Sequence, residues 1–181
     1  KFLALLATSM LAVPATSSAI VLDFETIGNF NPIGNFYSAD GIVFSGDDVA
    51  LEDAGDIGLF VGEPTPITAM FLLDPEEDSE YRATVTLDYS AGFTSVSFYY
   101  ATLVEGSVAD VYDGIGGTGT LIGTASLGPN QSTSCSFLLC DWTSTSVSFS
   151  GIARSIVFGG ANGQIGFDDI TLTPVPLPAA A

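Results

Sequence analysis

The sequence contains no histidine. Ser-His and Cys-His nucleophile pairs are therefore unavailable, and zinc, copper and haem lose their commonest ligand. Only three Lys and Arg residues stand against 21 carboxylates, giving a formal net charge of −18 at pH 7. Nucleic-acid binding needs clustered cations on phosphates, so this composition excludes it and favours cations or neutral partners. The two cysteines, Cys135 and Cys140, are too few for a structural zinc site, which takes four nitrogen or sulfur ligands. The apolar run from Phe2 to Val13 falls short of the ~20 residues that span a bilayer. Beyond that run no long stretch carries helical spacing. Gly-x-Ser-x-Gly elbows, phosphate loops and dinucleotide fingerprints are all missing.

What is present begins with the ends. Lys1, the apolar run, the helix-breaking Pro14 and the small residues Ser17 and Ala19 are the parts of a secretory signal peptide over residues 1–19. Export places Cys135 and Cys140 in an oxidising compartment, where a disulfide between them is expected. A loop that small contributes roughly 2 kcal/mol, so it trims one loop and does not hold the fold. Acidity alone suggests disorder, but 47% hydrophobic residues and a mean hydropathy of +0.46 argue for a packed core. Residues 20–173 suffice for one domain.

Period-two alternation runs through that domain. Ala83, Val85, Leu87 and Tyr89 alternate with polar neighbours, as do Val96, Phe98 and Tyr100, and Val147 and Phe149. Further strands are expected over residues 21–25, 41–45, 67–73, 107–112, 121–127, 155–158 and 165–173. Turn chemistry separates them, for example Asp113-Gly114-Ile115-Gly116-Gly117 and Gly159-Gly160-Ala161-Asn162-Gly163. About ten short strands with Gly-rich turns predict an all-β fold, an antiparallel two-sheet β-sandwich of jelly-roll type. In the last strand Ile165 and Phe167 share one parity while Ile170 and Leu172 share the other, which predicts a bulge at Asp168-Asp169. The acidic stretch 74–80 reads as a solvated loop. After Thr173 the prolines Pro174, Pro176 and Pro178 forbid a central strand and predict an extended tail over residues 174–181.

With these residues in view, the chain resembles the PEP-CTERM family of exported proteins of Gram-negative bacteria. The tail Val175, Pro176, Leu177, Pro178, Ala179, Ala180 is similar to the "VPLPAA" variant of that sorting motif, and the terminal strand Phe167 to Leu172 ("FDDITL") also matches members. The resemblance implies export to the cell surface or extracellular matrix and processing by an exosortase-type enzyme. It also implies a transmembrane helix and basic cluster beyond Ala181, so that membrane contact is transient, through the signal and that anchor.

Asp23 and Glu25 lie two apart on the first expected strand and leave the same face, while Asp168 and Asp169 sit at the expected bulge. First and last strands of a jelly roll are commonly neighbours, which brings these acids together. Gathered carboxylates repel unless a cation or proton joins them, and Ca²⁺ accepts six to eight oxygens. The pattern is similar to the structural calcium site of jelly-roll carbohydrate-binding modules. By that resemblance the expected ligands are Asp23, Glu25 and Asp168, with Asp169 in reserve and Asp40 weaker. An EF-hand reading of Asp47 to Asp56 lacks both spacing and flanking helices. Among the aromatics Phe36, Tyr37, Tyr99, Tyr100, Tyr112 and Trp142, the best candidates for sugar contact are Tyr99, of outward parity, and Trp142. The leading expectation is a non-catalytic, calcium-stabilised surface or matrix protein. A carbohydrate-binding module for extracellular polysaccharide is the alternative. A polysaccharide hydrolase comes third, since nothing in the sequence selects an acid–nucleophile pair.

Overall fold

Alternation in sequence becomes a buried face in the computed structural model, which describes residues 17–53, 59–74, 82–133 and 139–176. Its strands are β1 (Ile20–Leu22), β2 (Asn31–Pro32), β3 (Ile42–Gly46), β4 (Asp48–Glu52), β5 (Thr68–Leu72) and β6 (Arg82–Thr102). There follow β7 (Ser107–Tyr112), β8 (Leu121–Leu127), β9 (Thr143–Val147), β10 (Ala153–Ala161) and β11 (Ile165–Pro174). A 3-10 turn at Ser38–Asp40 is the one helical element among the described residues.

The long strand β6 serves two sheets. Its first half pairs with β3 and β10, and β10 continues to β7 and β8. Its second half pairs with β9 and β11, and β11 continues to β5, β4 and β2, with β1 also on β11. All of these pairings are antiparallel, so the chain is an antiparallel two-sheet β-sandwich, as expected. Between the halves the buried parity changes, from Ala83, Val85, Leu87 and Tyr89 to Val96, Phe98 and Tyr100. Gly92 allows that corner. Its φ is +83°, and a Cβ there would strike Ile152 and the Ala153 carbonyl.

Aromatic rings join the sheets. Phe158 of β10 packs against Phe98 of β6 and Phe167 of β11 at centroid distances of 5.4 and 4.7 Å. All three rings are fully buried. A second, smaller core lies on the other face of the β4–β5–β11–β6 sheet, where Leu51, Ala69, Phe71 and Ala101 are covered by Phe60 and Leu139. This is why every residue of β5 is buried: Met70 and Leu72 face the main core, Ala69 and Phe71 the small one.

Two local expectations are revised. β1 ends at Leu22, so Asp23 and Glu25 do not lie on a strand; Phe24 turns the chain with φ +60° because its ring is buried against Tyr37 and Phe44. β11 runs through Pro174, opposite Phe93, and the Val175 N–H still reaches the Gly92 carbonyl at 3.0 Å. Proline is tolerated there because the register against β6 shifts between Thr173 and Pro174, and a bulge needs no ladder donor at that residue. Residues 1–16 of the expected signal, the acidic residues 75–80, Cys135, and Leu177, Pro178, Ala179 and Ala180 of the tail motif lie outside the described residues.

Candidate functional site

The bulge expected in β11 is present. Its register against β6 shifts between Asp168 and Thr171, and Asp169 takes φ +48°. The shift lets Phe167 and Ile170 both reach the main core, although they differ in parity. Asp168 is paired with Tyr99, and opposed residues share a face, so its carboxylate lies on the outer side of the second sheet. There it is fully buried, because the segment between Glu63 and Thr68 closes over it. The Thr65 N–H donates to Asp168 Oδ2 at 3.0 Å, the Asp169 N–H donates to Asp168 Oδ1 at 2.7 Å, and the Thr65 hydroxyl donates to Asp169 Oδ1 at 2.9 Å.

Pairing of β1 with the end of β11 brings the other acids alongside. Glu25 Oε1 accepts the Thr68 N–H at 2.7 Å, and Asp23 Oδ1 accepts the Glu25 N–H at 3.3 Å. Asp23, Asp168 and Glu25 all act on one group, the Tyr37 hydroxyl, which accepts the Phe24 N–H at 2.7 Å. Burial first, and then these three charges, hold that phenol far above its usual range. Burial likewise pushes Asp168 up to about 8, against its two N–H donors and with help from Asp169 and Glu25. Glu63 is also raised by burial, with Asp53 and Glu25 adding to it.

No positive charge answers these acids among the described residues. Arg82 donates to the Gly106 carbonyl and Arg154 to the Asp113 carbonyl, both at other places in the fold. Non-glycine residues with left-handed backbone gather here too: Phe24, Thr26 and Asp169. Such conformations cost on the order of 1–3 kcal/mol each and persist only where surroundings enforce them. No group of three or more acids close enough to hold a metal ion is preformed among the described residues. Asp40 is exposed on the 3-10 turn. Asp47 and Asp48 are engaged structurally, accepting the Thr84 and Gly34 N–H groups.

The aromatic candidates share the face of Asp168. Tyr99 lies directly between Asp168 of β11 and Ser144 of β9. Trp142 stands two residues before Ser144, hence on the same side and diagonal to Tyr99. It reaches over the sheet because Gly166 leaves room: a Cβ there would stand 3.1 Å from the indole and 2.9 Å from Phe71. The indole Nε1–H donates to the Val61 carbonyl at 3.1 Å, and the ring meets Phe60 edge-on at 6.0 Å. Two side-chain amides fix the approach. Asn130 donates to the Tyr100 carbonyl and Thr143 Oγ1, and Gln131 Oε1 accepts the Cys140 and Asp141 N–H groups. Both aromatics are half-buried, and Ser144, Ser146, Ser97 and Thr171 continue that face from Tyr99 away from Trp142.

The remaining candidates separate from this site. Tyr100 and Tyr37 are buried in the main core, and Tyr112 belongs to β7 in the other sheet. Cys140 is not a free thiol. Val175 and Pro176 follow β11 directly. Sequence reading missed Glu63, Thr65 and Thr68 as site residues: Glu63 and Thr65 flank Pro64, outside any alternation, and Thr68 acts through its backbone N–H, which leaves no side-chain signal.

In fold, the chain is similar to carbohydrate-binding modules. One is CsCBM6-3 from Clostridium stercorarium in complex with cellobiose: 20% identity over 73% of this chain and 86% of that one, with a TM-score of 0.39. Another is TmCBM61 in complex with β-1,4-galactotriose: 17% identity over 84% and 94%, with a TM-score of 0.46. A third is the family 11 module of a Clostridium thermocellum cellulosomal cellulase: 14% identity over 92% and 100%, with a TM-score of 0.38. No family profile matches the chain, and no curated protein matches it in sequence.

Proposed function

We propose that this chain is an exported, non-catalytic β-sandwich module that binds a neutral polysaccharide on the outer face of its second sheet. The observation that carries the reading is that Tyr99 and Trp142 share one face, diagonal across the β6–β9 register, with the hydroxyls of Ser97, Ser144, Ser146 and Thr171 continuing it. Half-exposed aromatic faces supply stacking area for a sugar ring, and neighbouring hydroxyls supply orienting hydrogen bonds. The charge of −18 favours neutral over anionic glycans. A binding screen headed by cellobiose and β-1,4-galactotriose tests it. Tyr99→Ala, checked for native circular dichroism, is expected to weaken binding roughly tenfold or more, a loss of about 1.4 kcal/mol. Failure of the wild-type protein to bind any glycan of a broad panel ends the proposal, and release of reducing ends from them points to an enzyme.

A second reading concerns the acids. Asp23, Glu25 and Asp168 would hold a structural Ca²⁺, completed by backbone carbonyls and water, and the all-oxygen donor set suits that ion. Its support is the fully buried Asp168 carboxylate, with Asp23 and Glu25 half-buried, none of them neutralised by an Arg or Lys among the described residues. Equal melting temperatures in calcium and in chelator would remove it. Export and exosortase-type sorting rest on the two ends of the chain, and fractionation of the native host tests them.

A further inference from the structure

Trp142 is gripped on both flanks. β9 begins at Thr143, opposite Tyr100, so it supplies no partner to Thr102 two residues further along β6. Asn130 takes that place. Its N–H donates to the Thr102 carbonyl at 3.2 Å and its Oδ1 accepts the Thr102 N–H at 2.9 Å, which copies the exchange within an antiparallel pair. Its Nδ2 donates to the Tyr100 carbonyl and to Thr143 Oγ1, both at 2.9 Å. Gln131 holds the other flank. Its Oε1 accepts the Cys140 N–H at 2.7 Å and the Asp141 N–H at 3.1 Å. Its Nε2 donates to the Asp141 carbonyl at 2.9 Å and to Asn130 Oδ1 at 2.8 Å. A carboxylate accepts without donating, and a Lys or Arg donates without accepting, so the pattern calls for amides.

We infer that Asn130 and Gln131 are positioning residues that set the Trp142 indole for a sugar before any ligand arrives. The inference rests on the glycan reading and adds to it two residues that act through Trp142. Asp141 is bonded at both backbone groups and Thr143 at its hydroxyl, so the Trp142 backbone between them has little freedom left. The indole itself is seated by the Val61 carbonyl, by Phe60 and by the bare Gly166. Fixing a ring in its bound position removes an ordering cost from binding. Loss of either amide then appears as lost affinity, although no atom that touches the sugar has been removed.

The chain has a single tryptophan, Trp142, so acrylamide quenching of its fluorescence reports on this indole alone. Full-length wild type is compared with Gln131→Ala and with Asn130→Asp, which keeps the acceptor for Thr102 and replaces the donor to Tyr100 and Thr143 by an oxygen. The readouts are quenching, circular dichroism and calorimetric titration with the tightest binder of a panel headed by cellobiose and β-1,4-galactotriose. Both variants are expected to keep native circular dichroism, to quench more readily and to bind roughly three- to tenfold more weakly. In a Trp142→Ala background neither should cost further affinity, because nothing is left for the amides to position. An equal further loss in that background overturns the inference, as does unchanged quenching or wild-type affinity in both variants. Loss of native circular dichroism in both also overturns it, since the amides then hold the sandwich itself. All of these results leave the glycan reading standing. Wild-type protein that binds no glycan of the panel overturns both.

Discussion

Asp168 makes the stability of the metal-free protein fall as pH rises. Its carboxyl is fully buried, and burial together with Asp169 and Glu25 lifts it from 3.8 to about 8. A group whose folded value is raised binds its proton more tightly in the native state. Its contribution is therefore complete below the unfolded value and is lost as pH climbs towards the folded one. Across that window the slope is about 1.4 kcal/mol per pH unit for one fully coupled group. For a domain of this size 1 kcal/mol moves the melting temperature by roughly 2–4 °C, so a fall of about 3–6 °C per pH unit is expected between pH 5 and 8. Thermal melts followed by circular dichroism in chelator measure it. General repulsion among the acids also weakens the protein as they ionise, so the control is Asp168→Asn, which keeps the shape and removes the titration. The variant should lose most of the slope. A flat or rising wild-type profile, or an unchanged slope in the variant, refutes the argument.

Other consequences follow from packing. Phe158→Ala removes the ring by which β10 of the first sheet packs on Phe98 and Phe167 of the second, and should cost about 3–5 kcal/mol, read as a lower denaturant midpoint. Gly166→Ala inserts a methyl against Phe71 and Trp142; roughly 1–3 kcal/mol of stability should be lost, together with glycan affinity, while a neutral result would show that the indole yields freely. Reduction of a Cys135–Cys140 disulfide should lower stability by roughly 2 kcal/mol without unfolding the protein, and mass spectrometry after alkylation shows whether the bond was there.

Much of the architecture was legible because sandwich strands write their burial into every second residue. The parities of both halves of β6 could be read directly, and the clash of parity between Phe167 and Ile170 located the bulge. Less visible was the fusion of 82–89 with 95–102 into one strand, since the corner at Gly92 reads as an ordinary turn until two sheets are present to share it. Asp23 and Glu25 were recognisable as a pair. Their placement after the strand depends on Phe24, whose left-handed backbone is enforced by the aromatic cluster that buries its ring.

By itself, then, the sequence determined an acidic antiparallel sandwich with a bulged final strand, because alternation, turn residues and charge are local properties. The tertiary structure decided which acids share surroundings, that Tyr99 and Trp142 share one face, and that Glu63 is buried with an orphaned oxygen. Those facts depend on register between distant strands and on a loop folding over a sheet. Contacts of that kind are set by packing across long separations, and no short window of residues contains them.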